Sequence, residues 1–260
     1  MGYLPAVIWR HKALVWTLVE RNLKTRYKGS ILGFFWSFAN PLLLLGIYVL
    51  VFSYYLRLGN EVGNYPAFLI SGLFPWICIS LSVQSGTNSI VEGAGYITQT
   101  VFKSEILPIV TILSDVTNFV LTVPILLLFL SLLKVYPSAA LLALPLILAV
   151  HFLLISGAVL VLATYNVFFR DIAYLVTHVL SLVFFALPII YPQGVIPAGL
   201  RFTVKWNPIA RLIISYQDIF YFRRSPDWTS LGWVALLAVV LILLGNCVFQ
   251  RHKDVFAEYL

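Results

Sequence analysis

The chain has 260 residues, 61% hydrophobic and only 10% charged, with 17 Lys and Arg against 10 Asp and Glu. Mean hydropathy is +0.95, whereas a soluble domain carries roughly 25% charged residues. Composition therefore excludes a water-soluble globular enzyme and predicts an all-α integral membrane protein, one domain over 1–260, with helix packed on helix and on lipid.

Residues 6–28 predict an amphipathic helix ahead of the first span. Trp16, Val19, Leu23 and Tyr27 fall on one face at helical spacing and Glu20, Arg21, Lys24 and Lys28 on a neighbouring one, with Leu14 and Leu18 blurring the division. Aromatic residues beside Lys and Arg suit a helix in the headgroup plane, where each basic residue near anionic lipid contributes about 1 kcal/mol. The cluster reads as a topology anchor, and beyond that as a contact surface for an anionic lipid-linked substrate or a cytoplasmic partner. Charges stop at Lys28, Gly29 and Ser30 offer a break and an N-cap, and Ile31 to Leu56 contains no charged side chain. That run exceeds the about 20 residues a spanning helix needs and is too long for a cleavable signal core.

Six spans are expected, at about 31–56, 65–83, 106–133, 138–165, 172–192 and 231–249, with Pro41, Pro75, Pro124, Pro145 and Pro188 inside them. With the N-terminus inside, ten Lys and Arg fall on the cytoplasmic side and seven outside, and the cluster before the first span sets both termini in the cytoplasm. Between the second and third spans, the polar stretch Gln84 to Glu105 predicts a cytoplasmic loop with a short docking helix. Between the fifth and sixth, residues 193–228 predict an outer region. There Asn207 and Pro208 open a helix along which Ile209, Leu212, Ile213, Tyr216, Ile219 and Phe220 recur at helical spacing. It is too short and too polar to span, so it is expected to be re-entrant or interfacial, with Arg223 and Arg224 closing it favourably for the helix dipole.

Polar groups inside spans are costly and so informative. Thr111, Ser114, Asp115, Asn118 and Thr122 form a stripe on the third span that either lines a water-filled path or bonds a neighbouring helix. Asp115, the one carboxylate clearly within a span, reads as a group near the cytoplasmic boundary that is paired with a basic neighbour or reached by water, in preference to a proton relay. Phe34, Phe38, Tyr48, Phe52 and Tyr55 share a spacing on the first span, and Tyr174, Phe184 and Phe185 recur on the fifth. Their rings serve packing, or a surface over which sugars slide. His151 and His178 read as structural, and Cys78 and Cys247 as small apolar residues rather than ligands or a disulfide. No phosphate-binding G-x-x-x-x-G-K-[ST] loop, metal-binding acid cluster or hydrolase motif occurs. No catalytic residue, metal, cofactor or nucleic-acid partner is expected of this chain.

The segments RNLKTRYKGSILGFFWSFANP (21–41), GLFPW (72–76), VFKSEILP (101–108), NVFFRDI (166–172) and WNP (206–208) together resemble the permease subunits of polysaccharide-exporting ABC transporters of the type 2 exporter class, the family of the O-antigen, capsule and teichoic acid export permeases. The likeness covers almost the whole chain in order. It departs at Asn22, at Lys103 and Ser104, and at Gln217, where the family often carries an acid, a proline with a base, and an arginine.

The resemblance implies a homodimeric channel above two copies of a separate ABC ATPase, which binds ATP and Mg. The cargo it implies is a polyprenyl-diphosphate-linked polysaccharide crossing the bacterial inner membrane. It assigns Arg21, Lys24, Arg26 and Lys28 to the lipid head group, and Phe34, Phe38, Tyr48, Phe52, Tyr55, Thr111, Ser114 and Asn118 to the channel. Asn88, Ser89, Ile90, Val91, Glu92 and Tyr96, within 88–102, would couple to the ATPase. Ile209, Leu212, Ile213, Tyr216, Ile219 and Phe220 would form an outer gate. A type 2 permease for drugs or other small amphiphiles shares this architecture and stands as the alternative; an intramembrane enzyme would need metal-binding acids that the sequence lacks.

Overall fold

The computed structural model describes residues 9–31, 33–55, 62–99 and 103–260, and all regular structure among them is helical. The start of the expected amphipathic helix, Leu32 and Leu56 of the expected first span, and residues 100–102 of the expected coupling loop lie outside the described residues.

Helix α1 (Lys12–Tyr27) is docked rather than free. Val15, Leu18 and Val19, with Leu23, pack on Ile106, Val110 and Leu113 of α5 (Ile106–Leu132). The buried stripe is thus one residue round from the expected one: Leu18 is inside and Trp16 is 60% exposed. The reason is a partner. The apolar face is chosen by the end of α5, and Trp16 is left to the surface. The chain leaves α1 through Gly29, whose φ of +79° favours glycine, and Ser30 Oγ accepts from the Gly33 amide.

The first apolar run is one continuous but irregular helix. A 3-10 turn (Gly33–Phe35) leads into α2 (Trp36–Tyr48), which continues as a π-helical stretch (Val49–Tyr55). Phe38, Pro41 and Leu45 face inward, whereas Leu43, Ile47, Leu50, Tyr54 and Tyr55 are exposed. Helix α3 (Tyr65–Glu92) is the central post. Asn64 caps it by accepting from the Ala67 amide, Pro66 sits in the first turn, and α2, α5, α6 (Leu144–Phe168), α7 (Asp171–Ala186) and α9 (Pro208–Phe220) all pack on it. It runs nine residues beyond the expected end at 83, through a stretch expected as a loop. Thr87, Asn88 and Ser89 each donate to a carbonyl three or four residues back, and the Ser85 hydroxyl lies 2.8 Å from Leu81 O, so this polar stretch does not break the helix. Gly93 ends it, and the short α4 (Ala94–Gln99) follows.

Helix α7 corrects the sequence in the other direction. It ends at Ala186, not at 192, because Pro188 forces Leu187 into an extended conformation. Its 16 residues reach about 24 Å, short of the roughly 30 Å hydrocarbon core. Residues 187–192 continue as irregular chain in which two carbonyls are bonded by side chains: Tyr65 Oη donates to Ile190 O and Gln217 Nε2 to Pro188 O. Buried non-helical backbone is stable only where protein supplies such partners. Helix α6, preceded by a 3-10 turn (Ala139–Ala143), begins later than expected but runs on to Phe168. After α8 (Arg201–Lys205) and α9, helix α10 (Trp228–His252) starts on the Asp227 cap, which accepts from the Thr229 and Ser230 amides. Hydrogen bonding from Ser230 holds that carboxyl below the usual carboxylate range. A 3-10 turn and α11 (Phe256–Tyr259) finish the chain.

Helices α6 and α10 approach backbone to backbone, and glycine permits it. A Cβ on Gly157 would lie 2.6 Å from the Ile242 amide nitrogen, and one on Gly245 2.5 Å from Gly157 O. Small residues at a membrane helix crossing let backbones approach. Gly157→Ala is therefore expected to cost about 2 kcal/mol by overpacking and to lower the thermal midpoint in detergent. Gly232→Ala, on the same α10 but with open space around it, is the control and should not lower it.

The bundle has two ends. At one, α1, residues 93–97 and 103–106, the turn after α6 and the C-terminus meet: Phe168 packs on His252, Phe256 and Tyr259, and Lys253 Nζ lies 3.9 Å from the buried Glu105. At the far end, Asn64 donates to Leu133 O and its amide to Tyr221 Oη. Among the described residues five helical runs, including Gly33–Tyr55 and Trp228–Tyr259, are long and apolar enough to cross a membrane, and α7 is a sixth, shorter apolar helix.

Candidate functional site

Four elements are tied together near the terminal end by one polar cluster. Arg26, in the last turn of α1, donates to Asp115 Oδ1, and Ser85 Oγ on α3 donates to Oδ2 at 2.9 Å. Tyr27 Oη donates to Asn118 Oδ1 at 2.6 Å and also bonds Ser37 Oγ, which itself reaches Asn118 Oδ1 at 3.2 Å. The Asp115 side chain is fully buried and that of Arg26 is 30% exposed. Burial opposes the Arg26 charge, but the Asp115 carboxylate and its hydrogen bond outweigh it and hold the guanidinium pKa above its usual value. The stripe on the third span thus bonds neighbouring helices: Asp115 and Asn118 reach α1, the first span and α3. Thr111, Ser114 and Thr122 donate to carbonyls of their own helix.

This arrangement divides the four cations of the 21–28 segment. Arg26 is committed to Asp115, and Arg21 donates to Tyr96 Oη while lying 5.3 Å from that ring's centroid. Lys24 pairs with Glu20 at the surface, a contact worth little. Lys28 is exposed and makes no ion pair among the described residues.

Beside this cluster lies a groove of about 330 Å³ between α2, α3 and α7. Tyr48 stacks on Phe184 with centroids 5.5 Å apart, and Trp76 lies 6.0 Å from the same ring. Ser80, Gln84 and Ser181 supply its polar surface. The Gln84 amide has no side-chain hydrogen bond among the described residues, whereas both serine hydroxyls donate to carbonyls of their own helices. Aromatic faces beside a spare amide can hold a sugar ring loosely. The groove opens beside exposed Ile47, Leu50, Tyr54 and Tyr55 of the first span and Tyr174, Val179 and Phe185 of α7.

Of the residues read as channel-lining, the structure brings Tyr48 into this groove and leaves Phe52 and Tyr55 above it on the same span. Phe34 packs edge-on to Tyr27 instead. Phe38 and Ser114 are buried inside the chain, Phe38 between Phe74 and Phe129, and do not reach the groove. Trp76, part of the GLFPW segment, and Gln84, at the start of the expected loop, are not among the residues that the sequence assigns to the channel. Leu73, Trp76, Ile77 and Ser80 recur at helical spacing within the expected second span, and only Gln84 falls beyond its expected end at 83.

Helix α9 lies inside the bundle rather than in an interface. Every residue from Leu212 to Phe220 is buried, Ser215, Gln217 and Asp218 included. Tyr216 packs on Phe119, midway along α5, and its hydroxyl lies 3.0 Å from His151 Nδ1. The Gln217 amide reaches Pro188 O across Gly72, where a Cβ would lie 2.6 Å from it. His151 is thus structural, and His178 is exposed on α7. Tyr216→Phe strands the buried imidazole, whose Nε2 has no partner among the described residues. A loss of about 1–2 kcal/mol is expected in a thermal unfolding measurement.

The expected coupling segment splits in two. Ser89 and Ile90 are buried within α3, and Asn166 of α6 bonds Thr87 O and Asn88 Oδ1 while accepting from the Ala173 amide. Glu92 and Gly95 are exposed at the tip, with Val91 and Tyr96 half-buried beside them. Among the described residues no group of three His, Cys, Asp or Glu comes together to hold a metal ion.

Residues 13–221 match the family described as ABC-2 type transporter. The chain is 34% identical over 253 residues to the O-antigen export system permease protein RfbA of Myxococcus xanthus, covering 96% of each. It is 32% identical to the RfbA protein of Klebsiella pneumoniae, covering 95% of each. The polysialic acid transport protein KpsM of Escherichia coli is 22% identical over 94% of this chain and 95% of its own length.

Proposed function

The chain belongs to the ABC-2 type transporter family and is a multi-pass membrane protein, and from that premise we propose that it is the channel-forming subunit of an ATP-driven exporter of polyprenyl-diphosphate-linked polysaccharide. It acts as a homodimer on two copies of a cytoplasmic ABC ATPase, in a bacterial inner membrane, with both termini in the cytoplasm. The six crossings are Gly33–Tyr55, α3, α5, α6, α7 extended by the chain to 192, and α10. ATP and Mg bind the partner and not this chain.

The observation that carries the reading is the aromatic groove between α2, α3 and α7, with the unbonded Gln84 amide in it and exposed apolar faces on both flanks. In a homodimer those flanks meet their counterparts, and the two grooves face one path. A glycan passes over Tyr48, Trp76 and Phe184 by ring-face contacts, without deep polar sites that would hold it. Phe52 and Tyr55 continue that surface outward. Lys28 and Lys24, with Arg21 behind them, attract the diphosphate at the cytoplasmic interface; Arg26 supports them by fixing α1 to α5. The exposed tip formed by Glu92, Gly95 and Tyr96 meets the ATPase, and the bond from Arg21 to Tyr96 links that tip to the interface helix. Helix α9, anchored through Tyr216 and Gln217, closes the outer end. Relatives named for O-antigen export and polysialic acid transport favour a glycan over a small amphiphile.

The test is ATP hydrolysis by the chain reconstituted with its cognate ATPase, with and without a polyprenyl-diphosphate-linked glycan. A rate altered by the glycan, with that response lost in Trp76→Ala together with Gln84→Ala complexes that still assemble and still hydrolyse ATP, is the expected result. A rate indifferent to the glycan and altered by small apolar amines would assign the chain to drug export.

A further inference from the structure

At the far end of the bundle, a basin of about 410 Å³ is lined by Gln193, Gly194, Ile196, Arg201, Val204, Lys205 and Arg211. It holds three cations and no carboxylate. Arg201 Nε donates to Ile196 O at 3.3 Å and Arg211 Nε to Lys205 O at 3.2 Å. Each guanidinium is therefore oriented by one bond to the basin wall, and its terminal amino groups have no hydrogen bond or ion pair among the described residues. Lys205 Nζ lies 5.6 Å from the Trp206 ring centroid and has no acid partner among the described residues. The nearby acids are engaged elsewhere: Asp218 with Arg224 at 2.8 Å, and Asp227 with Ser230 and the start of α10. The Arg211 charge is felt by both, but neither lines the basin.

Around the cations the surface is apolar. Val195, Leu200, Phe202 and Trp206 are exposed together on the same segment, and Trp at such a position marks a membrane interface. Positive charge is depleted on the outer side of bacterial membrane proteins, so three unpaired cations gathered there need a ligand. Guanidinium groups oriented beside an ammonium suit phosphate oxygens, and the apolar rim suits a hydrocarbon chain attached to them.

We propose that this basin binds the phosphate group of a membrane lipid in the outer leaflet, with its hydrocarbon chain lying along Leu200, Phe202 and Trp206. The outer placement rests on the orientation proposed above and not on the cargo, so the site holds whether the cargo is a glycan or another amphiphile. The phosphate belongs either to a resident phospholipid or to the diphosphate of a polyprenyl carrier, and the measurement separates the two.

The full chain is purified, placed in phosphatidylcholine nanodiscs, and titrated separately with phosphatidylglycerol, farnesyl diphosphate and inorganic diphosphate, with bound lipid counted by native mass spectrometry. Arg201→Gln and Lys205→Gln, both at exposed positions, are each expected to weaken binding about fivefold, and the triple variant with Arg211→Gln on the order of a hundredfold. Arg170→Gln with Arg251→Gln, exposed at the opposite end, should leave the count of bound lipid unchanged. Binding of farnesyl diphosphate alone identifies the polyprenyl carrier, and binding of both lipids identifies phospholipid head groups in general. Inorganic diphosphate matching farnesyl diphosphate would overturn the lipid assignment. Single variants within twofold of the parent chain would overturn the site, and they decide the matter if the triple variant does not fold.

Discussion

Arg26→Ala is expected to destabilise the chain by about 3 kcal/mol, lowering its thermal midpoint in detergent by roughly 10 °C. The loss comes less from the missing arginine than from what it leaves behind. Asp115 is fully buried, and without Arg26 its carboxylate keeps only the bond from Ser85 and the field of its own helix. An unpaired buried charge typically costs about 3–5 kcal/mol; because Arg26 is 30% exposed, water can enter its place and the lower figure applies. The double variant Arg26→Ala with Asp115→Asn removes the stranded charge and should recover most of the loss, whereas Arg26→Lys, lacking the planar fork, should recover only part. A double variant no more stable than Arg26→Ala alone would mean that the pair contributes nothing beyond α1 packing.

Gly95→Trp is expected to leave the thermal midpoint within about 1 °C, as surface substitutions do, and to weaken association with the ATPase at least tenfold. Gly95 is exposed and a Cβ there meets nothing within 4 Å, so the fold can accept a large side chain. A partner seated on the tip cannot, since a bulky group in a tight interface costs on the order of 2 kcal/mol or more. The comparison with Ile90→Trp separates fold from interface: Ile90 is buried inside α3, and that variant should lose stability first. Unchanged copurification of the ATPase with Gly95→Trp would move the contact elsewhere on the terminal end.

The sequence made the long crossings legible because an uninterrupted apolar run of spanning length has few alternatives in water or lipid. Caps were legible too: Asn207 and Pro208 open α9 as their chemistry predicts. What misled was polarity used as a helix terminator. Ser85 to Ser89 read as loop, yet their side chains fold back on their own helix, and only Pro188, which removes a donor and constrains Leu187, ended a helix early. The pairing of Asp115 with a base was readable from its cost inside a span, but not that Arg26, 89 positions away, would supply the charge. Long-range partners leave no local trace. The same holds for α9, whose apolar spacing was correct but whose Ser215, Gln217 and Asp218 are also enclosed, by α3, α6 and α10 packing around them. The groove was half visible: Tyr48 and Phe184 stood out as aromatic, while Gln84 gained meaning only when α3 proved long enough to carry it.

Proteoliposomes holding the chain with its cognate ATPase test the central claim most directly. The measurement is the ATP-dependent appearance of a fluorescently tagged, polyprenyl-diphosphate-linked glycan on the opposite leaflet, read by an impermeant quencher. Export that requires ATP, stops with Gly95→Trp, and slows at least tenfold with Trp76→Ala and Gln84→Ala while ATP is still hydrolysed is the predicted result. Glycan that stays on its own leaflet under conditions where the complex hydrolyses ATP and moves a small amphiphile would contradict it.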